Sequence, residues 1–138
     1  MVTHWNRTVS GFIGIPYAEP PVGDLRFKPP MPAGGWNGTF NASSNSEPCP
    51  QFNDQDEFEG NEDCLYLNVF TPQLPASNDS ELLPVMVYII GGAFKAGKNA
   101  IERFGPDFLL DEDVVLVIPN FRVGVLGYLT TGDEVSPG

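Results

Sequence analysis

Residues 84–97 read Pro-Val-Met-Val-Tyr-Ile-Ile-Gly-Gly-Ala-Phe-Lys-Ala-Gly: a wholly apolar run of strand type set directly against a glycine loop. An unbroken apolar run of this length describes a strand buried on both faces, the kind found inside a sheet covered by helices. Its end is a rigid mount. The paired glycines Gly91 and Gly92 let a reacting group approach the backbone closely, and backbone amides presented in this way form oxyanion holes. Taken by itself, a strand followed by Gly-Gly also describes an ordinary tight turn, and the segment leaves both readings open.

The remaining chain supplies further elements. Phe12 to Ala18 reads as a short strand that enters the Pro20-Pro21-Val22-Gly23 turn, where two prolines and a glycine stop it. Residues 28–61 are rich in Pro, Gly, Asn and Ser and predict an irregular surface excursion. Cys64 to Thr71 reads as a strand, with Leu65, Leu67 and Val69 on one face. Ile101 to Asp111 predicts a short helix with Pro106 in its first turn, and Val114 to Pro119 is a second continuous apolar strand. Strand, helix and strand in that order imply a right-handed crossover between two parallel strands. Val123 to Leu129 is expected to be extended, ahead of a turn at Thr131-Gly132-Asp133.

Three more segments stand beside the glycine loop. They are Gly14-Ile15-Pro16-Tyr17-Ala18-Glu19-Pro20-Pro21-Val22-Gly23 with Leu25-Arg26-Phe27, Glu62-Asp63-Cys64-Leu65-Tyr66-Leu67-Asn68-Val69, and Asn120-Phe121-Arg122-Val123-Gly124-Val125-Leu126-Gly127-Tyr128-Leu129. In order and spacing the four blocks resemble the N-terminal part of the type-B carboxylesterases and cholinesterases, in an insect-esterase flavour. The resemblance runs from about Gly14 to Gly138. It implies an α/β-hydrolase fold in which short antiparallel strands lead into a mostly parallel central sheet. Members of that family are several times longer, so residues 1–138 are expected to be the N-terminal portion of one catalytic domain, cut before the nucleophile. No Gly-x-Ser-x-Gly is present, and the sole histidine, His4, lies in a polar leader where no general base is expected.

By the same resemblance, Gly92 and Ala93 supply oxyanion-hole amides and Gly91 permits the bend. Two positions depart from the family pattern. Ile90 stands where most of these enzymes have His and cholinesterases have Tyr, and Ile cannot order the loop by hydrogen bonding. Ala93 replaces a third glycine, as it does in some active members. Arg26 and Glu62 resemble a structural ion pair of the family, against the bland alternative of two solvated charges. Arg122 resembles a second such residue, whose acidic partner is expected beyond Gly138.

Cys49 and Cys64 are compatible with a disulfide, two free thiols or half a metal site, although a zinc site would need further Cys or His nearby. The resemblance pairs them with each other. Closing a loop of that size stabilises by roughly 3 kcal/mol in the chain-entropy model, in an oxidising compartment. Sequons at Asn6, Asn37, Asn41 and Asn78 lie in polar, turn-rich stretches that a glycan can reach. Both features suit a secreted glycoprotein. Met1 is followed by Val-Thr-His-Trp-Asn-Arg and not by a long apolar stretch, which points to a truncated or misassigned start.

Several other functions are disfavoured. A net charge of −11 opposes nucleic acid and anionic membrane surfaces. No run has the length of a membrane span, and neither a dinucleotide fingerprint nor a phosphate loop is present, so no cofactor is expected. Asp54 to Gly60 mimics the opening of a calcium loop, but its glycine is one place late and no Glu follows at the twelfth position. Trp36, Phe40 and Phe52 are expected to serve as core or disulfide cover, with a ligand gorge as the alternative. The expected activity is hydrolysis of a small carboxylic ester through an acyl-serine in the complete protein, the isolated fragment being inactive. A fold relative that has lost the triad and serves as an adhesion or binding protein is the alternative.

Overall fold

The computed structural model describes residues 1–75 and 81–134. Its centre is a mixed four-stranded sheet in the order β1, β4, β6, β5, formed by Ser10–Pro16, Tyr66–Thr71, Val115–Pro119 and Val85–Val87 respectively. β1 runs antiparallel to β4, β4 antiparallel to β6, and β5 parallel to β6. The register places Asn68 opposite Ile118, and Met86 beside Leu116. A two-stranded hairpin, β2 (Gln51–Phe52) with β3 (Phe58–Glu59), stands apart from this sheet. It lies inside the excursion expected to be wholly irregular. A two-residue pairing is too short to leave an alternation in the sequence.

One face of the sheet carries the core. Phe70, Leu116 and Ile118 are fully buried there with Val9, Ile90 and Leu110, and Ile13, Ile101, Phe104 and Val114 pack around them. On β4 the buried positions are Asn68, Phe70 and the terminal Thr71, whereas Leu67 and Val69 are only half-buried. The face expected from Leu65, Leu67 and Val69 is therefore the less covered one, and Leu65 belongs to a separate cluster with Ala18, Cys49 and Cys64. The opposite face opens into an apolar cleft lined by Phe12, Val69, Leu74, Leu82, Val85 and Val115.

The run 84–90 is not buried on both faces. Only Val85–Val87 is regular, and Val85 and Val87 are 62% and 59% exposed. β5 has β6 on one side and no other strand among the described residues, so its apolar side chains lack the neighbours their composition anticipates.

Between β5 and β6 the helix is shorter than expected. α1 spans Ile101–Phe104 and stops at Gly105, whose backbone is extended because Pro106 follows and disfavours the helical conformation before it. A separate 3-10 turn covers Leu109–Asp111. The segment expected to be extended after Val123 instead forms a one-turn helix, α2, over Gly124–Tyr128. Gly124 sits at φ +60°, a left-handed conformation that only glycine adopts without strain, and its N–H donates to the Phe94 carbonyl at 2.6 Å. That long-range bond sets the turn, and no local pattern announces it. Gly132 bends the chain at φ +73° near the end of the described residues.

Candidate active-site loop

Three residues beyond β5 the chain reaches Ile90, which is 3% exposed and packed among Phe70, Leu116 and Ile118. A core side chain thus anchors the loop at the position where a hydrogen-bonding one was the family expectation. Gly91 and Gly92 follow, and the backbone then turns left-handed at Ala93 (φ 52°) and Phe94 (φ 65°). The Gly92 carbonyl accepts from the N–H groups of Lys95 (2.9 Å) and Ala96 (3.1 Å), closing a tight turn. Among the described residues, the Gly92 and Ala93 N–H groups donate to no acceptor. The steric demand falls on Gly92 and not on Gly91. A Cβ on Gly92 would lie 1.6 Å from the Ala96 carbonyl oxygen, whereas nothing lies within 4 Å of one on Gly91.

Behind the loop is a scaffold of buried amides. Gln51 Oε1 accepts from the Gly97 N–H at 2.8 Å, while Gln51 Nε2 donates to the carbonyls of Gly97 (3.2 Å) and Cys49 (3.0 Å). Asn120 Oδ1 accepts from the Asn99 N–H at 2.8 Å, and its Nδ2 donates to the Glu47 carbonyl and to Ser46 Oγ. Asn68 Nδ2 donates to the Asn99 carbonyl, and its Oδ1 accepts from the Gly14 N–H. Tyr17 closes the group by donating its hydroxyl to the Asn120 carbonyl at 2.7 Å. Burial pushes the Tyr17 phenol above its ordinary pKa, outweighing the nearby Arg122 charge, so it remains a donor at neutral pH. Asn68 and Asn120 lie within motif blocks of the sequence, yet nothing in their spacing marks them as hubs. Gln51 carries no sequence signal beyond following Cys49 by two residues.

Cys49 and Cys64 are joined as a disulfide that encloses the β2–β3 hairpin. Arg26 and Glu62 meet in a bidentate contact, Nε to Oε2 at 2.5 Å and Nη2 to Oε1 at 2.7 Å. The Arg26 hydrogen bonds hold the Glu62 carboxyl below its ordinary pKa, against a smaller opposing effect of burial. Arg122 donates through Nη2 to the Lys28 carbonyl at 2.8 Å, and its Nη1 is buried with no acceptor among the described residues.

A cleft of about 510 Å³ lies against Ile90, Gly91 and Gly92, walled by Phe52, Phe104 and the polar groups of the hairpin. Ion pairs Lys98–Glu59 (3.0 Å) and Arg103–Asp54 (3.4 Å) tie the hairpin to the loop and to α1. Phe52 makes an edge contact with Phe58 and is 62% exposed, while Trp36 and Phe40 pack on each other at the surface. None of these three aromatics joins the core, in contrast to the expectation of cover, because the excursion that carries them lies outside the sheet. Of the three, only Phe52 reaches the cleft. His4 packs on Phe108 and does not line the cleft. Asn6, Asn37 and Asn41 are exposed; Asn78 lies outside the described residues. Among the described residues no cluster of His, Cys, Asp and Glu could hold a metal, and no helix is long and apolar enough to cross a membrane.

The carboxylesterase family matches residues 1–138. The chain belongs to that family. This carboxylesterase-family chain is 46% identical to juvenile hormone esterase of Tribolium castaneum over 96% of its own length and 23% of that protein's. It is 44% identical to esterase FE4 of Myzus persicae over 99% of its length and 24% of the relative's, and 41% identical to carboxylesterase 5A of the dog over 94% and 24%. The chain therefore spans about a quarter of the length of the curated relatives it matches. Its mixed sheet fits part of an α/β architecture.

Proposed function

We infer that residues 1–138 form the N-terminal portion of a single α/β-hydrolase domain in a secreted carboxylic-ester hydrolase, and that they contribute its first oxyanion-hole loop. The observation that carries this reading is the pair of undonated N–H groups at Gly92 and Ala93, held by a tight left-handed turn beside an open cleft. Donors placed in advance around a developing negative charge need no reorganisation during reaction. In the complete enzyme a serine attacks the ester carbonyl carbon and passes its proton to a histidine. The carbonyl oxygen then becomes the oxyanion held by Gly92 and Ala93. The alcohol leaves with that proton, and water releases the acid from the acyl-serine. Membership of the family and the identities to insect esterases support the reaction class. The disulfide and the exposed sequons at Asn6, Asn37 and Asn41 support a secreted glycoprotein. In this reading the buried Arg122 Nη1 meets its acidic partner in the rest of the domain.

Sequencing the complete transcript tests the proposal. A Gly-x-Ser-x-Gly with later acid and His, together with hydrolysis of p-nitrophenyl acetate by the full-length protein, is the expected result. Residues 1–138 alone should hydrolyse no faster than a denatured control. Ile90, which offers the loop no hydrogen bond, favours a second reading as a triad-less binding protein. A replaced nucleophile would establish that one.

A further inference from the structure

We propose that Gln51 is a positioning residue for the oxyanion loop, transmitting the rigidity of the Cys49–Cys64 disulfide to the Gly92 and Ala93 amides. The inference rests on the esterase reading above. Gln51 is 5% exposed and uses its carboxamide on both sides: Oε1 takes the Gly97 N–H, and Nε2 bridges the carbonyls of Gly97 and Cys49. Both backbone groups of Gly97 are therefore held by one side chain. Gly97 terminates the same short loop in which Gly92 O binds the N–H groups of Lys95 and Ala96 and the Ala96 carbonyl leaves no room for a side chain at Gly92. Ile90 anchors the other end in the core. With both ends secured, the intervening amides have little freedom to move.

The Cys49 carbonyl gives the clamp its reference point, because Cys49 is fully buried and covalently joined to Cys64 two residues before β4. A carboxamide is the only uncharged side-chain group that carries an acceptor and two donors on one planar end. Methionine fills similar volume without them. An error of about 1 Å in donor placement costs on the order of a hundredfold in rate, so loss of the clamp should act on turnover.

The test is Gln51→Met in the full-length protein, with kcat and KM for p-nitrophenyl acetate, thermal melting, and amide hydrogen exchange over residues 91–97. A fall in kcat of about 10- to 100-fold with KM changed less than about twofold is expected, together with faster exchange at the loop. Unchanged kcat in folded variant, with only a lower melting temperature, overturns the positioning role. An inactive wild-type protein overturns the esterase reading instead. Exchange over residues 91–97 then still decides whether Gln51 holds the loop, and unaltered exchange overturns that.

Discussion

The α-carbon of Gly92 faces the carbonyl oxygen of Ala96 so closely that an added Cβ would lie 1.6 Å from it. The contact is to backbone, so no rotamer change can relieve it, and Gly92→Ala must displace the turn that aims the amides. On the proposed esterase reading, kcat of the full-length protein is expected to fall by roughly 10²- to 10³-fold, the usual consequence of losing an oxyanion donor. Gly91→Ala, with open space around it, should lose less. Steady-state kinetics on the two variants check the order, and equal losses would contradict it.

Asn120 is fully buried and serves several partners, so its truncation leaves the Asn99 N–H and the Glu47 carbonyl buried without their bonds. Asn120→Ala is expected to destabilise by about 3 kcal/mol, since each orphaned buried group costs roughly 1–3 kcal/mol. Chemical denaturation of the full-length protein measures it. A change below about 1 kcal/mol would mean that water replaces the side chain.

Glu62 titrates below the ordinary 4.5 because Arg26 hydrogen-bonds its ionised form. Its contribution to stability is complete above the unfolded-state value and is lost as pH falls through the lower folded value. The melting temperature of Glu62→Gln should therefore sit a constant small amount below wild type above about pH 5 and converge with it in more acid solution. Both partners are partly exposed, so added salt should shrink the gap. A gap that persists unchanged in acid would contradict the assignment.

β5 presents Val85 and Val87 to solvent and is hydrogen-bonded on one side only among the described residues; Ile89, just beyond it, is 60% exposed. An apolar strand with an open edge templates association. Residues 1–138 expressed alone should aggregate, and Val87→Lys should reduce light scattering. Monomeric elution with a sharp thermal transition would overturn this.

Residues 84–97 made the strand and loop legible because an apolar run ended at paired glycines, and the Val115–Pro119 run gave its parallel neighbour in the same way. Other features were hidden. The amide scaffold of Gln51, Asn68, Asn99 and Asn120 joins residues 21 to 74 positions apart, and local pattern carries no information about such pairs. The helix at Gly124–Tyr128 arose from a bond to Phe94, and the exposed β5 from the neighbours around it.

Sequence by itself determined where the four strands of the main sheet lie, the four-block match and the glycines of the loop, because side-chain size, polarity and backbone freedom act locally. Tertiary structure alone decided which glycine is sterically obligatory, which face of β4 is buried, and that Gln51 grips Gly97. Those depend on what distant backbone lies within a few ångströms, which only the folded chain brings together.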